Sequence, residues 1–134
     1  MSLFTNQGFD VLGKTLNGMN LRNKAISNNL ANVDTPNYKR QSVTFRDQLK
    51  RAMEQTNDLA TTNNKHIAVG TSLSSVQPKV QQNENTSFRN DGNNVSIDRE
   101  MAELAKNSLE YRAIVKQVSN QFNRLGSVIQ KGGS

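Results

Sequence analysis

The side chains here that could do chemistry are few, and their spacing points away from catalysis. His66 is the only histidine, in the polar run Asn63-Asn64-Lys65-His66. One imidazole cannot build a His-rich metal site, so it reads as a solvated loop residue. Cysteine is absent, which removes disulfide scaffolds, thiolate zinc sites and thiol nucleophiles. Asp98, Glu100 and Glu103 form the one carboxylate cluster. Asp98 and Glu100 suit the first turn of a helix, where acidic groups complement the dipole, and Glu103 with Lys106 has the spacing of a helical i,i+3 pair. No GxxxxGK[ST], GxGxxG or GxSxG pattern occurs. Asn85-Thr-Ser and Asn94-Val-Ser match a glycosylation sequon, but with 19 Asn a chance match is expected. The reading is a protein with no catalytic, cofactor-binding or metal residue, no cofactor and no small-molecule substrate.

The patterned information lies instead in the elements at the two ends. Thr5, Phe9, Leu12, Leu16, Met19, Asn23, Ile26, Leu30 and Val33 alternate steps of four and three, a heptad stripe that is apolar except at Thr5 and Asn23. Pro36 is expected to end that helix, because the residue before a proline is pushed out of the helical region. Ile97, Met101, Leu104, Ser108, Tyr111, Val115, Val118, Phe122, Leu125 and Ile129 repeat the pattern, broken only at Ser108. Ser96 is placed to cap this second helix, and Lys131 before Gly132-Gly133 suits its other end. Neither helix can bury its stripe alone, so the two are expected to pair as a helical hairpin, with further copies alongside. Asn23 and Ser108 are either tolerated defects in the seams or residues that fix register.

Composition sharpens the contrast between ends and middle. The chain has 134 residues, of which 34% are hydrophobic, and 29 are Asn or Gln. Residues 1–35 hold 14 of the 45 hydrophobic residues and residues 96–131 hold 15. Between 56 and 95, 23 of 40 residues are Asn, Gln, Ser, Thr, Gly or Pro, with Leu59, Ile67, Val69, Leu73, Val76, Val80 and Phe88 scattered among them. Gln41-Ser-Val-Thr-Phe45 alternates like a short extended segment, and about 45–55 fits a short amphipathic helix. The expected fold is therefore mainly α. N- and C-terminal helices form a coiled-coil pair (1–35 and 96–134), and 36–95 is a flexible, loop-rich insertion, partly β and with no stable core of its own. A chain this poor in apolar side chains is expected to complete its core with partners, its end segments ordering on assembly.

The net charge of +6 carries less information than its distribution. Lys39, Arg40, Arg46, Lys50 and Arg51 form the densest basic cluster, with only Tyr38 and Phe45 interleaved. That is too sparse for a nucleic-acid footprint. No stretch approaches the roughly 18 uninterrupted apolar residues of a membrane span. The N-terminus lacks the basic start and apolar run of a secretory signal, so the chain is expected to stay in the cytosol or to leave without a cleaved signal.

Two segments carry specific resemblance. Ile26-Ser-Asn-Asn-Leu-Ala-Asn-Val-Asp-Thr-Pro-Asn-Tyr-Lys39 resembles the signature of the flagellar axial proteins (rod, hook and hook-associated), Ala-Asn-x-x-Thr-Pro-Gly-Tyr followed by a basic residue. Ala31, Asn32, Thr35, Pro36, Tyr38 and Lys39 match. Asn37 replaces the usual glycine, which the turn can accept because Asn tolerates positive φ. The segment from Asp91 to Tyr111 looks like the start of the C-terminal helix of proximal rod proteins of that family.

The resemblance implies a structural subunit that assembles with itself and with other rod proteins near the membrane ring at the base of the rod. It implies export through the flagellar type III apparatus and a place in the basal body. Its expected interface residues are Leu12, Leu16, Met19, Asn23, Ile26, Leu30 and Val33 of the first stripe and the second stripe from Ile97 to Ile129, with the motif Ala31–Lys39 forming either a helix stop or a subunit contact anchored by Tyr38. The rival readings are another rod subunit of the family, or a free-standing coiled-coil or nucleic-acid-associated adaptor.

Overall fold

The computed structural model describes residues 2–58, 76–84 and 90–132. His66, Asn85 and the scattered apolar residues Leu59, Ile67, Val69, Leu73 and Phe88 lie outside the described residues, as does the side chain of Thr5. Two long helices, α1 (Ser2–Ala31) and α3 (Ile97–Gly132), dominate. Between them come β1 (Gln41–Thr44), α2 (Arg46–Asp58) and β2 (Lys79–Gln82). At 1.5 Å per residue the long helices measure about 45 and 54 Å.

α1 and α3 run antiparallel. Phe9 meets Phe122 with ring centroids 5.0 Å apart, the Asn107 amide donates to the Met19 carbonyl at 3.0 Å, and Arg22 pairs with Glu103 at 2.5 Å. Glu103 therefore bridges the helices, not Lys106 on its own helix.

α1 stops at Ala31, five residues before Pro36. The Asn32 amide donates back to the Asn28 carbonyl at 2.8 Å, and the Val33 N–H bonds the Leu30 carbonyl at 3.4 Å, tightening the last turn. Such local side-chain bonds compete with helix continuation. Ser96 occupies the cap position of α3, and its carbonyl accepts the Glu100 N–H at 3.0 Å.

β1 and β2 pair antiparallel with Gln41 opposite Gln82 and Thr44 opposite Lys79. The expected extended segment and short helix are thus β1 and α2. The middle also supplies most of the main apolar cluster: Phe45, Leu49, Ala52 and Val76 pack against Met19 of α1, with Ile114 of α3 alongside. Val76, from the segment expected to hold no stable core of its own, joins this shared cluster. Its carbonyl is held by Lys14 at 3.0 Å. Gly18 makes room for this cluster, since a Cβ there would lie 2.6 Å from the Phe45 ring.

Candidate functional site: an amide knot and an open helix face

The two sequence segments singled out above meet in space, joined by amides. Asn29 is fully buried on α1. Its Oδ1 accepts the Gln41 N–H at 2.7 Å and its Nδ2 donates to the Gln41 carbonyl at 2.8 Å. One side chain thus serves β1 as a neighbouring strand would. The same Nδ2 reaches Glu100 Oε2 at 2.9 Å, and Glu100 Oε1 accepts Arg40 Nε at 2.5 Å. Glu100 is fully buried, so its role goes beyond complementing the helix dipole. It joins α3 to α1 and to the strand.

Asn93, also fully buried, closes the other side of the knot. Its Nδ2 lies 3.0, 3.0 and 2.9 Å from the carbonyls of Asn32, Val33 and Thr35. These carbonyls lie in the turn that follows α1, where those of Asn32 and Thr35 also accept the N–H groups of Thr35 and Tyr38. Its Oδ1 takes the Val95 N–H at 2.7 Å. Asn94 accepts the Arg40 N–H at 2.6 Å and donates to the Asn83 carbonyl at 2.8 Å. Lys39 donates to the Gly92 carbonyl at 2.8 Å, and the Asn37 N–H to the Asp91 carbonyl at 2.9 Å.

Two left-handed residues make this junction possible. Asn37 has φ 59° and Gly92 φ 79°; Asn tolerates that region and Gly favours it. A Cβ on Gly92 would sit 2.6 Å from Asn37 Oδ1, so the two turns interlock. Tyr38 lies over the knot with its hydroxyl 3.4 Å from Asn29 Oδ1. Burial, and then the nearby Glu100 carboxylate, raise its phenol above the ordinary 10.0. The knot is fully occupied with internal bonds and presents no nucleophile, base or open ligand position. Among the described residues no group of three His, Asp or Glu could hold a metal ion.

The stripe residues divide sharply. Of the first stripe, Leu12, Met19 and Ile26 are buried, Leu16, Leu30 and, just beyond α1, Val33 half-buried, and Asn23 exposed. On α3, Leu104, Val118 and Leu125 are half-buried, while Ile97, Met101, Ser108, Tyr111, Val115, Phe122 and Ile129 are exposed. The seam inside the chain uses Glu100, Asn107, Ile114 and Gln121, each one residue ahead of Met101, Ser108, Val115 and Phe122. One residue is about 100° of helix, so Met101, Val115 and Ile129 are left facing outward, while Leu104, Val118 and Leu125 stay half-buried and Phe122, though 60% exposed, still meets Phe9. Asn107, not Ser108, is the polar residue inside the seam. In the motif, Ala31, Thr35, Pro36 and Asn37 are exposed, whereas Asn32, Tyr38 and Lys39 are half-buried.

Residue spacing did not mark Asn29, Arg40, Asn93 or Asn94 as important. The amide excess gave little signal, since the two quoted segments hold 7 of the 29 amides, no more than their share of the chain. Antiparallel helices joined by a self-contained knot, with apolar side chains left exposed along α3, are the features of a structural building block.

Comparison with known proteins agrees. A family model described as "Flagella basal body rod protein" matches residues 9–39. The chain is 34% identical to the flagellar basal body rod protein FlgB of Bacillus subtilis, over 98% of this chain and 99% of that one. It is 36% identical to FlgB of Aquifex aeolicus over 97% of both, and 30% identical to FlgB of Escherichia coli K12 over 83% and 84%. This chain belongs to the flagellar basal body rod protein family, of the FlgB type. That is a family of structural subunits and not of enzymes, and its members belong to the basal body rod. No helix among the described residues is long and apolar enough to cross a membrane.

Proposed function

We propose that the chain is a structural subunit at the proximal end of the rod, near the membrane ring, and that it assembles with itself and other rod proteins into the drive shaft of the flagellum. The observation that carries this reading is the outward apolar row of α3. Met101, Val115, Phe122 and Ile129 are 49, 43, 60 and 74% exposed in the single chain. Such an exposed apolar row, broken only at Ser108, marks a surface that another chain covers. Contacts between non-identical surfaces of successive subunits extend a filament instead of closing a ring. In this reading 1–35 and 96–134 are the inner rod part and 36–95 the outward part, and export runs through the flagellar type III apparatus. Deleting the chain in its host tests it. Loss of flagella and motility, restored by the intact gene and with no other defect, is expected; normal flagella in the deletion strain would refute it.

A further inference from the structure

The polar breaks of the two stripes, Asn23 and Ser108, are far apart in sequence but share one cavity. This space of about 360 Å³ opens between α1 and α3 and is lined also by Asn20, Asn107 and Arg112. Asn107 is 3% exposed and gives its amide hydrogen to the Met19 carbonyl, but its Oδ1 has no hydrogen-bond partner. A buried acceptor left this way costs free energy until a donor arrives. Ser108 belongs to the outward row, midway between Met101 and Val115, so the cavity is a polar notch in the face that a partner must cover.

Beyond Asp98 in its first turn, the exposed charge along α3 has one sign. The carboxylates of Glu100, Glu103 and Glu110 are all engaged inside the chain, by Arg40, Arg22 and Arg46. From Tyr111 to Gly132, α3 has no acidic residue but carries Arg112, Lys116, Arg124 and Lys131. A second copy presenting this same face would set one basic flank against another, each copy bringing a net +6.

We propose that the face is built for a helix of a different protein. That helix has acidic residues beside its apolar row and, at its midpoint, a polar side chain that donates to Asn107 Oδ1. The notch then sets register, as single polar positions do in coiled coils. This inference rests on the rod reading for its biological setting, but its chemistry is tested separately.

The probes are two synthetic amphipathic helices with the same apolar heptads and one central Asn, flanked by Glu in one and by Lys in the other. Binding to the full chain is read by fluorescence anisotropy in low and high salt. The Glu-flanked peptide binds at least tenfold more tightly, and the difference collapses in high salt as the charges are screened. Arg112 and Lys116 are both exposed, so the double variant R112E/K116E keeps the fold, checked by circular dichroism, and reverses the preference. Replacing the central Asn of the peptide with Ala weakens binding several-fold.

Equal binding of the two peptides, or an unchanged preference in the double variant, overturns the proposal. So does a face that takes only anionic phospholipid vesicles, or one that is covered by a second copy regardless of the charge reversal. Deletion of the chain separates the two readings. Lost flagella with no charge preference leaves the rod subunit standing and removes this partner. Normal flagella with a clear preference does the reverse.

Discussion

Glu100 gives the sharpest quantitative test of what holds the helical pair. Its carboxylate is fully buried and shared between Arg40 Nε at 2.5 Å and Asn29 Nδ2 at 2.9 Å, while the Arg40 side chain is 11% exposed. Glu100→Ala strips the buried guanidinium of its counter-charge, a loss worth about 3–5 kcal/mol when one partner of a buried pair is removed. A small domain has about 5–15 kcal/mol of stability in total, so the variant is strongly weakened. Replacing both partners, Arg40→Leu with Glu100→Leu, also removes the desolvation cost. What remains is about 1–2 kcal/mol, chiefly the one Asn29 amide hydrogen that loses its acceptor while the other keeps the Gln41 carbonyl. Urea unfolding followed at the helical circular dichroism band reads both effects. With a slope of about 2 kcal/mol per molar urea, Glu100→Ala moves the midpoint down by roughly 1.5–2.5 M and the double variant by less than about 1 M. A single-variant shift below about 0.5 M, or a double variant as damaged as the sum of its parts, would refute the knot as the organising contact.

Gly92→Ala combines positive φ with a Cβ 2.6 Å from Asn37 Oδ1 and is expected to destabilise by about 2–4 kcal/mol; urea midpoints check it, and Asn37→Gly, at φ 59°, should leave stability unchanged or slightly raised. Gly18→Ala drives a methyl into the Phe45 ring and is expected to cost about 1–3 kcal/mol, with the near-ultraviolet aromatic signal altered. The Tyr38 phenol is raised by burial and by Glu100, so the folded state holds this proton more tightly than the unfolded chain. Its contribution is complete below pH 10 and is lost as pH climbs through the raised value; Tyr38→Phe should flatten stability between pH 9 and 11, and an unchanged slope would count against the assignment. Because the knot ties both end helices within the single chain, ordering on assembly should be confined to their far ends. Amide exchange on dilute monomer should show strong protection at Ala25–Asn29 and Glu100–Asn107 and weak protection at Phe122–Gln130, where the helix lacks its covering partner.

The helical hairpin was legible because a heptad stripe survives averaging: Leu12, Met19 and Ile26 occupy the seam as their spacing requires. What spacing could not give was the rotation of α3. An apolar row is equally consistent with facing α1 or facing another chain, and the choice is made by Glu100, Asn107 and Gln121, whose polar side chains find partners on α1 or lie against it. Glu100 looked like ordinary dipole complementation because its partner Arg40 is 60 residues away. The knot was invisible for the same reason. An Asn that holds a strand edge and an Asn in a solvated loop look alike until the tertiary neighbours are known, so Asn29 and Asn93 passed as background in an amide-rich chain. The motif turn was readable as a turn, Asn37 included, but not its interlock with Gly92.

The natural absence of cysteine allows a direct test of the central claim, that the outward row of α3 is covered by neighbouring chains in the assembled rod. Single cysteines at Val115 and Phe122, each the only thiol in its chain, can be labelled with maleimide in the free monomer and in purified basal bodies. The account predicts rapid labelling in the monomer and protection of more than about tenfold in the rod, with a control cysteine at the exposed β2 residue Gln81 reacting in the monomer at a similar rate. Equal reactivity of Val115→Cys and Phe122→Cys in monomer and rod would contradict it.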